Sequence, residues 1–206
     1  MGRHSSGNYT KKSKSKIIIA LTIIIIAVIG VSIYLYTTNM EKKGPEITIN
    51  NMFNALKQSD ESQVNEYLDY NKLLSSLDEM LVKEDVRNEE VEKKLFESIE
   101  WKIENIEADG ETATAVVELT NKDFIEVVTA WMKKIVNVKN NGIELTDEVS
   151  LQKLQETLEE TDTTKTVIKR ISLEKVDEKW KVTVNEELTN LVFPGVDSVV
   201  SVLNKT

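Results

Sequence analysis

Cysteine is absent from the 206 residues. That removes disulfide staples, thiolate metal sites, a thiol nucleophile and a lipid-modified cysteine. The single histidine, His4, lies near the start of the chain, so histidine ligands and histidine acid–base relays are missing from the rest. Two prolines and seven glycines leave little room for Pro- or Gly-rich linkers, and Gly-rich phosphate loops, GxSxG elbows and HExxH helices do not occur. Absence of these residue types argues against most enzyme chemistries and predicts no metal and no cofactor.

What is present is strongly segregated. Ile17 to Tyr36 reads IIIALTIIIIAVIGVSIYLY, twenty uncharged residues of which thirteen are Ile, Leu or Val. At about 1.5 Å per helical residue this matches a hydrocarbon core of about 30 Å, and the run predicts a transmembrane helix over 17–36. Arg3, Lys11, Lys12, Lys14 and Lys16 precede it with no acidic residue, whereas Glu41, Lys42, Lys43 and Glu46 follow it in near balance. The positive-inside rule then keeps the tail, 1–16, in the cytoplasm and exports the C-terminal part. Tyr34 and Tyr36 are expected at the outer interface, with ring bodies in lipid and hydroxyls in water. A cleaved signal peptide would have a shorter apolar region and a small-x-small cleavage site, and here the run ends in bulky SIYLYTT. A buried core helix would need a polar face, which this run lacks.

Setting aside the five cations of the tail, 21 of the 26 basic residues face 35 acidic ones, a net charge of −14. Such a balance disfavours nucleic-acid binding and lying flat on anionic lipid, and suits solubility. The predicted partner through 17–36 is the lipid bilayer, with no nucleic acid. Met1-Gly2 with Ser6, Asn8-Tyr9-Thr10 and Asn204-Lys205-Thr206 match modification patterns of too little information to carry a reading.

A linker, 37–45, leads to one domain, 46–206. Pro45 suits a first helical turn, and Ile49, Met52, Phe53 and Leu56 recur at helical spacing. Asp60 and Gln63 form a capping pair for a second helix with Val64, Tyr67 and Leu68. Asn71 is expected to cap a third, bearing Leu73, Leu74, Leu77 and Leu81, and Asn88 a fourth, bearing Val91, Leu95 and Phe96. The period then becomes two: Ile99, Trp101 and Ile103, a turn at Asp109-Gly110, and Ala113, Ala115, Val117 and Leu119 on the return strand. Phe124, Val127, Val128, Trp131 and Ile135, broadened by Ile125, Met132 and Val136, predict a deeply buried helix. After Asn140-Asn141-Gly142 comes a more exposed helix with Leu151, Leu154 and Leu158. A second hairpin runs through Val167, Ile171 and Leu173, turns at Asp177-Glu178 and returns through Trp180, Val182 and Val184. A last helix with Leu188, Leu191 and Val192 breaks at Pro194-Gly195 and resumes through Val196, Val199, Val200 and Leu203. Helices, hairpin, helices, hairpin, helix is the order of an α+β domain, an antiparallel sheet with helices on one face.

The opening PEITINNMFNALKQSDESQVNEYL and the later VDEKWKVTV resemble NTF2-like cone-shaped domains, especially small secreted or membrane-anchored bacterial ones. The resemblance runs from about Glu46 to Val184, departs from the family in the segment 123–160 and in the final helix, and contains no catalytic signature. It implies a curved, concave sheet able to hold a small ligand or a protein partner. It also implies two alternatives: a scaffold subunit like the single-span component of type IV secretion or conjugation machines, or an NTF2-like enzyme with a carboxylate or tyrosine inside the cone.

Candidate site residues are few. Asp123 precedes an apolar helix, the place of an N-cap rather than a base. Tyr67, Trp101, Trp131 and Trp180 are the aromatic candidates for a pocket, and all fall on apolar periodic faces where core packing is the ordinary role. Asp147, Glu148, Glu156, Glu159, Glu160 and Asp162 lack the spacing of a calcium loop. The residues thus point to a membrane-tethered extracytoplasmic binding or interaction module without catalytic activity.

Overall fold

The computed structural model describes residues 43–78 and 88–198, together with Ala27 and Val31. The chain divides into two compact units, Met1–Glu41 and Lys42–Thr206. In the first, Ala27 and Val31, one turn apart, are helical and exposed. The remaining positions of the 17–36 run, including Tyr34 and Tyr36, and the five tail cations lie outside the described residues. Among the described residues no helix is long and apolar enough to cross a membrane.

The second unit opens with helix α1, described over 43–58. Its apolar stripe is the one that helical spacing predicts: Ile49, Met52, Phe53 and Leu56 are each 0% exposed. Burial at that level contributes ~1.5–3 kcal/mol per side chain. Helix α2, Glu61–Tyr67, starts where Asp60 accepts from the Gln63 backbone N–H at 3.0 Å while Gln63 Nε2 donates back to Asp60 Oδ2 at 2.7 Å. Helix α3 spans Tyr70–Asp78. Its N-terminal cap is Asp69, which accepts from Lys72 N at 2.9 Å, and the expectation of Asn71 there is corrected by two residues. Asp69 wins because Leu68 is fully extended (φ −153°, ψ 170°), so the new helix begins directly after it. Helix α4, Glu89–Phe96, is capped by Asn88 as predicted, through bonds from Glu90 N and Val91 N.

Strands β1, Glu100–Asp109, and β2, Thr112–Lys122, form the first hairpin around Gly110, whose φ of +61° a residue without Cβ adopts freely. Helices α5, Phe124–Asn140, and α6, Asp147–Glu160, intervene before strands β3, Thr164–Val176, and β4, Lys179–Val182. Helix α7, Glu186–Val192, follows, and helical structure resumes over 196–198 after Pro194-Gly195. The sheet order is β1-β2-β3-β4 with every neighbour antiparallel. The architecture is α+β, two hairpins joined through the central β2–β3 pair and packed against helices.

Side chains alternate about the sheet. Ala113, Ala115, Val117 and Leu119 of β2, with Ile171 and Leu173 of β3, join one core with the helical stripes. Thr114, Val116, Glu118 and Thr120 take the opposite, half-exposed face. A register shift between Ile103 and Asn105 re-aims β1, so Ile106 and Ala108 replace the simple odd-numbered pattern begun by Trp101 and Ile103. Aromatic rings tie the helical layer together: Tyr70 to Phe96, Phe96 to Phe193, and Phe193 edge-on to Phe124 at 5.0 Å.

Helix α5 departs from its expected deep burial. Phe124, Val127, Val128, Trp131 and Ile135 are buried, but Met132 and Val136 are 41% and 49% exposed. The helix is covered along one stripe, which Ile125 broadens as a partly buried neighbour of the core, while Met132 and Val136 face outward.

Candidate functional site

The end of β2 carries two adjacent buried polar residues, Asn121 and Lys122. Asn121, 0% exposed, donates through Nδ2 to the carbonyls of Leu95 in α4 (3.0 Å) and Val192 in α7 (2.8 Å). Lys122, also buried, donates to the Thr161 carbonyl at the end of α6 (3.0 Å), with Glu97 Oε1 at 3.9 Å. Three helix C-termini, each with unsatisfied carbonyls and a partial negative charge, thus find donors on one strand end. Asp123 then caps α5 by accepting from Ile125 N at 3.0 Å, the structural role that its position before an apolar helix predicts. This constellation holds helices together: both amide hydrogens of Asn121 go to backbone carbonyls, and Lys122 serves the Thr161 carbonyl and the Glu97 carboxylate.

The four aromatic candidates are not brought to one place. Trp101 lies against Phe53, ring centres 5.4 Å apart, and its Nε1 donates to Asn50 Oδ1 at 2.9 Å. Trp131 is buried between α5 and α6, donating to the Ser150 carbonyl at 3.1 Å. Trp180 sits on β4 under the Lys175 ammonium, 5.3 Å from the ring centre, and its indole abuts Gly44 at the start of α1. Tyr67 is partly buried at the end of α2 against the core.

Two of the acidic residues of α6, Glu156 and Glu160, are engaged with lysines. Lys153 and Lys134 both reach Glu156, and Lys134 also reaches Glu160 at 2.8 Å. The hydrogen bond from Lys153, more than the charges around it, holds the Glu156 carboxyl below its ordinary range. On β1, Glu104 accepts from Lys102 and raises that ammonium's pKa. No group of His, Asp or Glu able to hold a metal ion occurs among the described residues.

A surface groove of about 390 Å³ opens elsewhere, between the α2–α3 corner and the second hairpin. Asn65, Leu68, Asp69 and Lys72 form one wall; Glu174 and Val176 of β3 and the run Lys181 to Val184 form the other. Side chains fix the first wall, because Asn65 Oδ1 accepts from Tyr70 N at 3.1 Å and Asp69 from Lys72 N, holding the corner in one shape. A tight turn fixes the second. Asp177 and Glu178 both have positive φ, 50° and 63°, the left-handed pair that a two-residue hairpin loop requires. Leu68, Val176, Val182 and Val184 give the groove an apolar floor, and Lys72, Lys181, Asp69 and Glu174 give it charge of both signs. Lys181 Nζ reaches across to the Asn65 carbonyl at a long 3.4 Å.

None of the sequence-predicted pocket residues lines this groove. Its walls are 116 residues apart at Asn65 and Lys181, and each side reads locally as an ordinary helix corner or hairpin. Comparison of the chain with protein-family models, with curated proteins and with solved structures finds no match.

Proposed function

We propose that this protein is a membrane-tethered extracytoplasmic interaction module without catalytic activity, anchored by residues 17–36 and binding a partner through the domain that follows. The observation that carries the binding role is the groove between the α2–α3 corner and β4, an apolar floor ringed by four charged side chains on two rigid walls. The anchor is supported by twenty uncharged residues preceded by five cations and no acid. An NTF2-like ancestry with a curved sheet belongs to the same proposal. Its support is the helical opening followed by antiparallel hairpins, with α5, α6 and α7 as the additions.

Lack of cysteine makes the topology directly testable. Asn8→Cys and Glu178→Cys are made separately in the full chain, and intact cells are treated with a membrane-impermeant maleimide. Labelling at 178 and protection at 8 is the expected result. Equal labelling, or labelling at 8 alone, would remove the tethered, exported reading.

A further inference from the structure

We infer that the outward face of α5 is a self-association surface, on which a second copy of this chain packs its own α5 antiparallel. The surface is separate from the groove, since no groove-lining residue belongs to α5.

Spacing carries the first step. Ile125, Thr129, Met132 and Val136 succeed one another by four, three and four residues, the alternation of a coiled-coil seam. Thr129, Met132 and Val136 are exposed and Ile125 is half-buried. Met132, Val136 and Ile143, the last just past the helix end, are three of the six exposed large apolar side chains described in the second unit. Exposed apolar surface is therefore concentrated along this one helix.

Charge admits a second copy here. The domain is strongly acidic, yet no Asp or Glu occurs in the seventeen residues from Val127 to Ile143, the longest acid-free run between residues 46 and 206. Two copies meet with least repulsion through α5.

Charge also selects the direction. Glu126 and Lys133, seven residues apart, share one flank of the seam; both are exposed, and neither makes an ion pair among the described residues. In an antiparallel pair like flanks face each other, so Glu126 lies beside Lys133 of the second copy, twice over by the twofold symmetry. A parallel pair would set this flank against the opposite one, where Val128 and Ile135 are already buried in the chain's own core. Antiparallel packing further brings Lys139, in the last turn of α5, toward Asp123 and Glu126 at the first turn of the other copy, the favourable sense for both helix dipoles.

The register follows from the seam. Setting Ile125 against Val136 of the second copy sets Thr129 against Met132, so every layer holds an apolar side chain. Thr129 is then displaced from its own counterpart by about 4.5 Å along the helices, and Val136 from its counterpart by about 16 Å. Only the first pair is within reach of a disulfide.

The natural lack of cysteine makes each position a clean probe. Single-cysteine variants of the full chain in detergent, at about 0.1 mM, are oxidised with copper phenanthroline. Thr129→Cys should form a disulfide dimer and Val136→Cys alone should not, whereas a mixture of Ile125→Cys and Val136→Cys chains should give the mixed dimer. In the Thr129→Cys background, Lys133→Glu should slow crosslinking by about fivefold, and adding Glu126→Lys should bring the rate back to within about twofold, because the double exchange rebuilds each pair with its signs reversed. Lack of a Thr129→Cys dimer would overturn the inference, and is the result expected if residues 199–206 cover the face instead. So would a Val136→Cys dimer forming as fast as the Thr129→Cys one, since association through residues 17–36 alone does not distinguish the two positions. A double exchange that crosslinks no faster than Lys133→Glu would remove the charge pairing and with it the antiparallel packing.

Discussion

Asn121 donates one amide hydrogen to Leu95 and the other to Val192, so a single carboxamide at the end of β2 ties the last turn of α4 to the last turn of α7. Both carbonyls lie where no water competes, which makes the donor's loss costly rather than neutral. Asn121→Ala is expected to destabilise the domain by ~2–4 kcal/mol, read as a lowered urea midpoint. Asn121→Asp, which keeps the shape and removes the N–H groups, should be at least as damaging. A midpoint equal to wild type for either variant would show that the carbonyls find other partners.

Gly195 combines a φ of +94° with a Cβ position only 2.8 Å from Ile125 Cγ1. Strain of backbone and contact together should cost Gly195→Ala ~1–3 kcal/mol. The two causes separate in a double-mutant cycle: in an Ile125→Ala background the penalty should shrink by the contact's share and retain the conformational share. An unchanged penalty would assign all of it to the backbone.

Gly44 reverses the usual helix rule. Alanine is favoured over glycine within helices by up to ~1 kcal/mol, yet a Cβ here would sit 2.5 Å from Trp180 Nε1. Gly44→Ala should therefore destabilise, with a shift in tryptophan fluorescence as the indole is displaced. In a Trp180→Ala background the same substitution should become neutral or stabilising. Thermal unfolding of the four proteins decides it, and an unchanged sign in both backgrounds would place Trp180 elsewhere.

Glu156 links stability to acid. Because its carboxyl is held below the ordinary range by Lys153, the folded state binds that proton less readily than the unfolded chain. Its contribution is present above the unfolded value and disappears as pH falls through the lower folded value. The stability difference between wild type and Glu156→Gln should be constant near neutrality and vanish in that acid window. A difference that grew on acidification would have the sign of a raised pKa and refute the pairing.

Much of the fold is legible one residue at a time. Caps are local, so Asp60 with Gln63, and Asn88, identify helix starts from sequence alone; the helix-to-strand switch at Ile99 is legible because the apolar period changes there. Near misses have equally local causes. Asn71 and Asp69 both suit a cap, and only the extended Leu68 decides between them. Met132 and Val136 read as core because hydrophobicity carries no record of which neighbours arrive, and α6 covers only one side of α5. The bulge at Ile103 leaves no compositional mark. The groove is illegible for a stronger reason: its character comes from the juxtaposition of a helix corner and a hairpin far apart in the chain. No local side-chain pattern encodes that juxtaposition.

Asn121 also sets a schedule. Its two acceptors lie 26 residues before it and 71 residues after it, and Lys122 waits for a carbonyl 39 residues downstream. A polypeptide that emerges N-terminus first can lay down α1 to α4 and the first hairpin early, but the amide at 121 has no complete set of acceptors until Val192 has appeared. Closure of the interior is deferred to the last fifth of the chain, and a ribosome stalled before that point would hold a nascent domain with an open seam.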